Sequence, residues 1–125
     1  MSFCAPPKSP KDVNFVIYHG FCTDGFSAAF AAWKLLGEEG VTYHGTQHGL
    51  PAPDVKGKHV AVVDFSYKLP VFEQLLRDAA SLIVLDHHKT AEAELTPHPN
   101  NVVFDMKRSG ATISWAYFHP GTPVF

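Results

Sequence analysis

The feature that most constrains the fold is a series of short, unbroken apolar segments, each separated from the next by a longer stretch. These segments predict five strands, at residues 14–18, 41–44, 59–63, 81–85 and 101–104. Apolar runs that are continuous rather than alternating indicate strands buried on both faces of a sheet. Such strands belong inside a layered fold and not on an exposed antiparallel surface.

Helix-forming stretches lie in two of the four gaps between these strands, and a third follows the last strand. Residues 26–36 are rich in alanine, lack proline and glycine, and are followed by Gly37 as the expected C-cap. Further helices are predicted at residues 69–80 and 109–118, and a loop at residues 50–58. Strands that alternate with helices favour right-handed crossovers and a parallel sheet. The sequence therefore predicts an open, mainly parallel α/β sheet with helices on both faces, which collects ligands at the carboxyl ends of its strands.

The 125 residues suit a single domain with one core, and 46% of them are hydrophobic. We expect residues 1–13, with their three prolines, to form a flexible leader, and residues 14–125 to form the domain. Two cysteines do not make a disulfide framework, no apolar run is long enough to span a membrane, and no targeting signal is visible, so a cytoplasmic protein is expected.

The net charge of −2 argues against a surface that grips long nucleic acid. A small anionic substrate held by metal ions remains compatible with this balance.

Acids and imidazoles follow four of the predicted strands at the point where each strand ends. They are His19, Cys22 and Asp24, then Asp64, then Asp86, His87 and His88, and finally Asp105. Any one of these aspartates, taken alone, is more often a helix cap or a turn residue. Several acids at one sheet edge repel each other unless cations neutralise them. The joint pattern therefore predicts a metal site, in which two ions could share a bridging carboxylate. Mixed nitrogen and oxygen ligands suit Mn, Fe, Co or Zn.

Three motifs at these strand ends, HGFCTDGFSAAFAAW, VVDFSY and LDHHKTA, resemble the successive motifs of the DHH superfamily of phosphoesterases. The chain looks closest to the branch of oligoribonucleases, cyclic-nucleotide phosphodiesterases and exopolyphosphatase-related proteins. The similarity extends from about residue 14 to residue 115. It implies an α/β metal-binding domain that holds two Mn²⁺ ions, with Mg²⁺, Co²⁺ or Zn²⁺ as alternatives.

The resemblance also implies a ligand for each metal. His19 would bind the first ion, Asp24 and His87 would bind the second, and Asp64 would bridge the two. Cys22 stands where many family members carry an aspartate. A thiolate there is a softer ligand that would favour zinc, and a merely packed cysteine is the alternative.

The remaining roles concern the substrate. Asp86 would orient an imidazole, and His88 would contact a phosphate oxygen, while a metal-bound water attacks phosphorus. Further phosphate contacts would come from Lys89, Arg108, Ser109 and Gly110. For Lys89 and Arg108, a solvated surface charge is the alternative interpretation.

These features predict a metal-dependent phosphohydrolase for a small phosphoester or phosphoanhydride, such as a short oligonucleotide, a cyclic nucleotide or polyphosphate. The alternative is a catalytically weak metal- and phosphate-binding module or a fragment of a longer enzyme. That alternative is motivated by the lack of a second, substrate-binding domain and of a further metal-binding aspartate beyond residue 115. A surface that such a domain would cover could also support a homo-oligomer.

Overall fold

The computed structural model describes residues 2–20, 22–105 and 107–122. Within them a single sheet has the order β2-β1-β3-β4-β5, and every neighbouring pair is parallel. Its strands are β1 (Phe15–His19), β2 (Thr42–Thr46), β3 (His59–Val63), β4 (Ser81–Asp86) and β5 (Val102–Phe104). The predicted open, parallel α/β architecture is confirmed.

Helices cover both faces of this sheet, as predicted. They are α1 (Thr23–Leu36), α2 (Leu69–Asp78), α3 (Lys89–Glu94) and α4 (Gly110–Phe118), with short 3₁₀ turns at Pro10–Asp12 and Pro99–Asn101. Alternate side chains of the central strands point to opposite faces. One set packs in a core with α1 and α4, and the other packs in a second core with α2. No helix in the described part of the chain has the length and apolar character needed to cross a bilayer.

Two helices differ from the sequence prediction. Helix α1 begins at Thr23, three residues earlier than predicted, so Asp24 and Gly25 form its first turn rather than the turn before it. Helix α3 was missed, although its sequence KTAEAE consists largely of good helix formers. It is only six residues long and has no buried residue, so it offers no apolar pattern from which a helix could be predicted.

The segment before β1 is also tied to the domain, in contrast to the loose leader that was expected. The amide of Cys4 donates to the Leu76 carbonyl (2.9 Å), and the amide of Leu82 donates to the Ala5 carbonyl (3.1 Å). Val13 is buried in the core beside α1 and α4. Proline prevents a regular helix here but still permits extended backbone that pairs with neighbouring carbonyls and amides. At the other end of the predicted domain, residues 123–125 lie outside the described residues.

Candidate metal centre

The strand order places a topological switch point between β1 and β3, because the chain proceeds from β1 outward to β2 and then returns to β3 on the other side. Two groups of side chains able to hold a metal ion meet at the carboxyl ends of β1, β3 and β4. Within each group the ligand atoms all lie within 4.8 Å of one another. The groups are His19, Cys22 and Asp64, and Asp64, Asp86, His87 and His88.

Asp64 belongs to both groups and has an unusual environment. It is 2% exposed, and its φ of 54° lies in the left-handed region that non-glycine residues rarely adopt. Burial raises the pKa of its carboxyl group, and the nearby carboxylates of Asp24 and Asp86 raise it further, while His87 and His88 lower it. A buried anion in such surroundings is costly unless a cation accompanies it. The donor set and this environment therefore fit a metal ion.

Helix α4 closes over Asp64 through a glycine. A Cβ atom at position 110 would lie 2.2 Å from Oδ1 of Asp64 and 2.6 Å from its Cβ. Gly110 was predicted as a contact to substrate phosphate, and the structure places its backbone directly against the shared carboxylate. Ser109 accepts a hydrogen bond from the Thr112 amide (3.1 Å) and so caps this helix.

His87 connects two of the predicted ligands. Its Nε2 lies 3.1 Å from Oδ1 of Asp64 and 3.8 Å from Oδ2 of Asp24. Asp24 is outside both metal-capable groups, but its place in the first turn of α1 brings it close to them. Gly25 permits this approach, since a Cβ there would lie 1.8 Å from the His19 carbonyl oxygen.

Cys22 completes the group at the end of β1. Its thiol donates a weak hydrogen bond to Oδ2 of Asp64 across 3.9 Å, and it forms no disulfide. Cys22 is also the N-cap of α1 and makes no side-chain capping bond. Its sulfur is therefore directed toward the shared carboxylate rather than toward the helix amides.

Asp86 holds the imidazole of His88 in place. Its fully buried carboxylate accepts hydrogen bonds from the Ser66 hydroxyl (2.7 Å), the His87 amide (2.8 Å) and Nδ1 of His88 (2.7 Å). Because the carboxylate can only accept, Nδ1 carries the proton and Nε2 of His88 is left as the free nitrogen. The His88 side chain is 47% exposed, so a ligand can reach it.

The structure separates Asp105 from the other strand-end acids. Its carboxylate accepts from the Lys107 amide (3.0 Å) and pairs with Nε of Arg108 (3.3 Å), and neither metal-capable group among the described residues includes it. Arg108 is thus engaged by Asp105, and Lys89 is an exposed residue at the start of α3. Their predicted contacts with phosphate find no direct support in this geometry.

Sequence reasoning missed two residues of the centre. Ser66 binds Asp86, as described above, and His48 lies in the loop after β2, with its ring 5.9 Å from that of His19. His48 also lines a small cavity of about 140 Å³ that contains His88 and Asp86. The signal for His48 was its position just beyond a predicted strand, the same rule that selected the other residues.

Comparisons with known proteins support the fold and indicate no activity. No family model matches the chain. It is 35% identical, over 147 aligned positions, to "Uncharacterized protein R106" of Acanthamoeba polyphaga mimivirus; the match covers 95% of this chain and 33% of that protein. The chain thus spans about a third of the length of this relative.

A solved structure supports the same architecture. The crystal structure of an uncharacterized protein from Helicobacter pylori G27 superimposes with a TM-score of 0.68 at 13% identity. The superimposed part covers 90% of this chain and 38% of the Helicobacter pylori chain. At this level of identity the likeness extends to the fold alone.

Proposed function

We propose that this chain is the metal-binding domain of a DHH-type phosphohydrolase that cleaves a small phosphoester or phosphoanhydride with two metal ions. One observation carries the proposal: the buried carboxylate of Asp64 is shared by two overlapping groups of potential ligands. A carboxylate shared in this way could bridge two metal ions at the short separation typical of two-metal hydrolases. The resemblance of three motifs to the DHH superfamily agrees with this placement.

In this proposal each group of side chains has a defined task. His19 and Cys22 would hold one ion, and Asp64 would be shared by both. From the second group His87 would hold the other ion, together with Asp24, which lies outside that group but has its Oδ2 3.8 Å from the His87 Nε2. Bound metal ions would acidify a water molecule and neutralise charge on the phosphate. Asp86 keeps Nδ1 of its partner His88 protonated, which leaves Nε2 free to exchange a proton with a phosphate oxygen or leaving group.

The nature of the ligands bears on the choice of metal. Carboxylates and imidazoles together suit manganese, whereas the thiol of Cys22 favours zinc at the group it shares with His19. We propose Mn²⁺ as the working ion. Because Zn²⁺ binds most such sites more tightly than Mn²⁺, affinity alone does not test this choice. Turnover of the metal-free protein after addition of each ion separately does, and full activity with Zn²⁺ but none with Mn²⁺ would contradict it.

The test of function is hydrolysis with added Mn²⁺ on a panel of short RNA, cyclic nucleotides, pyrophosphate and polyphosphate. Turnover should require both the metal and Asp64, so the Asp64→Asn protein should be inactive. Asp105→Asn is a matched control, because it removes the same charge from a strand-end acid outside both metal-capable groups. Equal turnover by the wild type and Asp64→Asn would refute the proposal.

The second candidate is a module that binds metal and phosphate without efficient catalysis. The observation that favours it is an exposed centre: the side chains of Asp24 and His88 are 39% and 47% exposed. A site open to water orients substrate poorly and loses much of the benefit of proximity. Tight binding of Mn²⁺ without hydrolysis of any substrate in the panel would support this candidate over the first.

A further inference from the structure

A broad groove lies between α1 and α4, and its lining contains none of the candidate metal ligands. Its volume is about 630 Å³, within the range of small-molecule sites. Aromatic side chains dominate it, and Phe26 and Phe30 are each more than half exposed. The groove is lined by Phe26, Ser27, Phe30, Ala31, Lys34, Ala111 and Trp115.

The candidate metal ligands do not line this groove, but both of its helices begin at the metal centre. Asp24, Ser27, Ala31 and Lys34 follow the spacing i, i+3, i+7 and i+10, so they share one face of α1 with Asp24 at its head. On α4, the lining starts at Ala111, immediately after the glycine that touches Asp64. At 1.5 Å per residue the α1 face extends about 15 Å from Asp24 to Lys34. A ligand with one end at the metals can therefore extend into the groove.

The rings of the groove are held by their neighbours. Phe30 stacks on Trp33, with centroids 5.8 Å apart and planes 25° apart. Phe26 contacts the ring of Tyr18 at a centroid distance of 5.7 Å. Rings restrained in this way lose little freedom when a flat ligand stacks on them, which favours binding.

The side chains of the lining restrict the chemical class of ligand that the groove suits. Among the described residues that line the groove, Lys34 is the only one with a formal charge. Aromatic faces stack on nucleobases of any sequence, whereas Lys34 lies too far along α1 to contact a phosphate at the metal centre. Polyphosphate and pyrophosphate offer nothing that could use three aromatic side chains.

We propose that the groove between α1 and α4 binds the nucleobase of a nucleotide whose phosphate lies at the metal centre. The position of the phosphate rests on the proposed function. The groove defines the substrate class within that function, since it would select nucleotide phosphoesters over inorganic polyphosphates. Recognition by stacking also predicts tolerance of all four bases.

The test of this site is calorimetric titration, in the presence of Mn²⁺, with two ligands. Adenosine 5′-phosphate and ribose 5-phosphate carry the same phosphate, and only the first has a base. The wild-type protein should bind the adenine nucleotide about tenfold more tightly, the effect of stacking one base. Phe30→Ala should bring the ratio of affinities close to one. Phe30→Leu keeps apolar volume without the aromatic face, and it should act in the same direction with less disturbance of the helix.

Phe3→Ala is the control, because Phe3 is an exposed phenylalanine that packs against His98 and Arg77 instead. It should leave the ratio unchanged. Equal binding of the two ligands by the wild type, or a ratio that survives both Phe30 variants, would overturn the proposal. So would a dimer in sedimentation that Phe30→Ala separates without any preference for the base, because the groove would then bind a second copy of the chain. A base preference without hydrolysis of any substrate would uphold this site and refute the catalytic role.

Discussion

The ends of β3 and β5 look alike in sequence and differ in the structure. Each strand is a short apolar run followed at once by an aspartate, Asp64 after β3 and Asp105 after β5. Asp64 is 2% exposed, has a positive φ and lies among other acids and imidazoles. Asp105 has a 39% exposed side chain and is satisfied by a local amide and by Arg108.

The position of each strand in the sheet explains the difference. Strand β3 lies between β1 and β4, so its end is surrounded by polar residues from both neighbours. Strand β5 lies at the edge, and Asp105, the residue after it, is partly exposed and bonds to its own downstream loop. An acid after a buried strand is thus placed to hold a metal ion only where adjacent strands bring further potential ligands to it. Substitutions at the two ends test this distinction.

The largest expected effect is on metal affinity. Asp64→Asn removes a carboxylate shared by both metal-capable groups. Loss of a residue that only hydrogen-bonds to a metal ligand typically lowers metal affinity by about 10–100-fold, so loss of a shared ligand should cost more. We therefore expect Asp64→Asn to weaken Mn²⁺ binding by more than about 100-fold in calorimetric titrations. Asp105→Asn should bind Mn²⁺ like the wild type. Similar losses in the two variants would erase the distinction between the two strand ends.

The next effect concerns the contact between α4 and Asp64. A methyl group at position 110 would overlap the Asp64 carboxylate, so Gly110→Ala should lower the free energy of unfolding by about 3 kcal/mol, the upper range for overpacking. Metal binding should weaken as well. Gly20→Ala is the matched control near the end of β1, since its Cβ would meet Thr46 at an ordinary 3.5 Å. Comparable stability of the two alanine variants in urea would contradict the close approach.

A smaller effect is expected at Ser66, which donates to the buried Asp86 carboxylate. Ser66→Ala should reduce turnover by about 10–100-fold, the usual consequence of losing an outer-shell partner, and should shift the pH profile of kcat because His88 loses its fixed orientation. Ser81→Ala is the control at the opposite end of β4, where the hydroxyl contacts His59. Both variants should lose stability, and a loss of turnover in Ser81→Ala as well would point to a general structural cause.

These comparisons also show how far the sequence predicts this protein. The strands, the parallel sheet and the approach of Asp64 to His87 follow from local patterns, because unbroken apolar runs and the residues after them can be read directly. Strand order cannot be read in this way. The sequence therefore grouped Asp105 with the other acids, although β5 lies at the edge and provides Arg108 as a local partner.

Tertiary contacts account for the other misses. Ser66 is an ordinary polar residue after a strand until the fold places Asp86 at hydrogen-bonding distance. The roles of Gly25 and Gly110 also depend on close approaches that exist only once the helices are packed, to His19 and to the Asp64 side chain respectively. Gly25, for example, allows the first turn of α1 to approach the His19 carbonyl.

The smallest expected effect is on the stability of the metal-free protein. Replacement of Asp64 should raise the free energy of unfolding, whereas replacement of Asp105 should lower it. The folded-state pKa of Asp64 is raised by burial and by Asp24 and Asp86. The protonated form of such a group favours the fold, so this contribution is complete below the unfolded pKa of about 3.9 and is lost as the pH rises through the folded pKa. At neutral pH in the presence of a chelator, Asp64→Asn should therefore be more stable than the wild type, by less than the loss expected for Gly110→Ala.

The gain should disappear below about pH 4, where the wild-type carboxyl group is protonated in both states. Excess Mn²⁺ should reverse the order, because only the wild-type site binds the ion tightly and binding to the folded state stabilises it. Asp105→Asn should lose at most about 1 kcal/mol, the scale of an exposed ion pair. Urea unfolding at several pH values measures all three proteins. A metal-free Asp64→Asn protein less stable than the wild type at pH 7 would mean that the ionised carboxylate is already satisfied by His87, and that its burial does not require a metal.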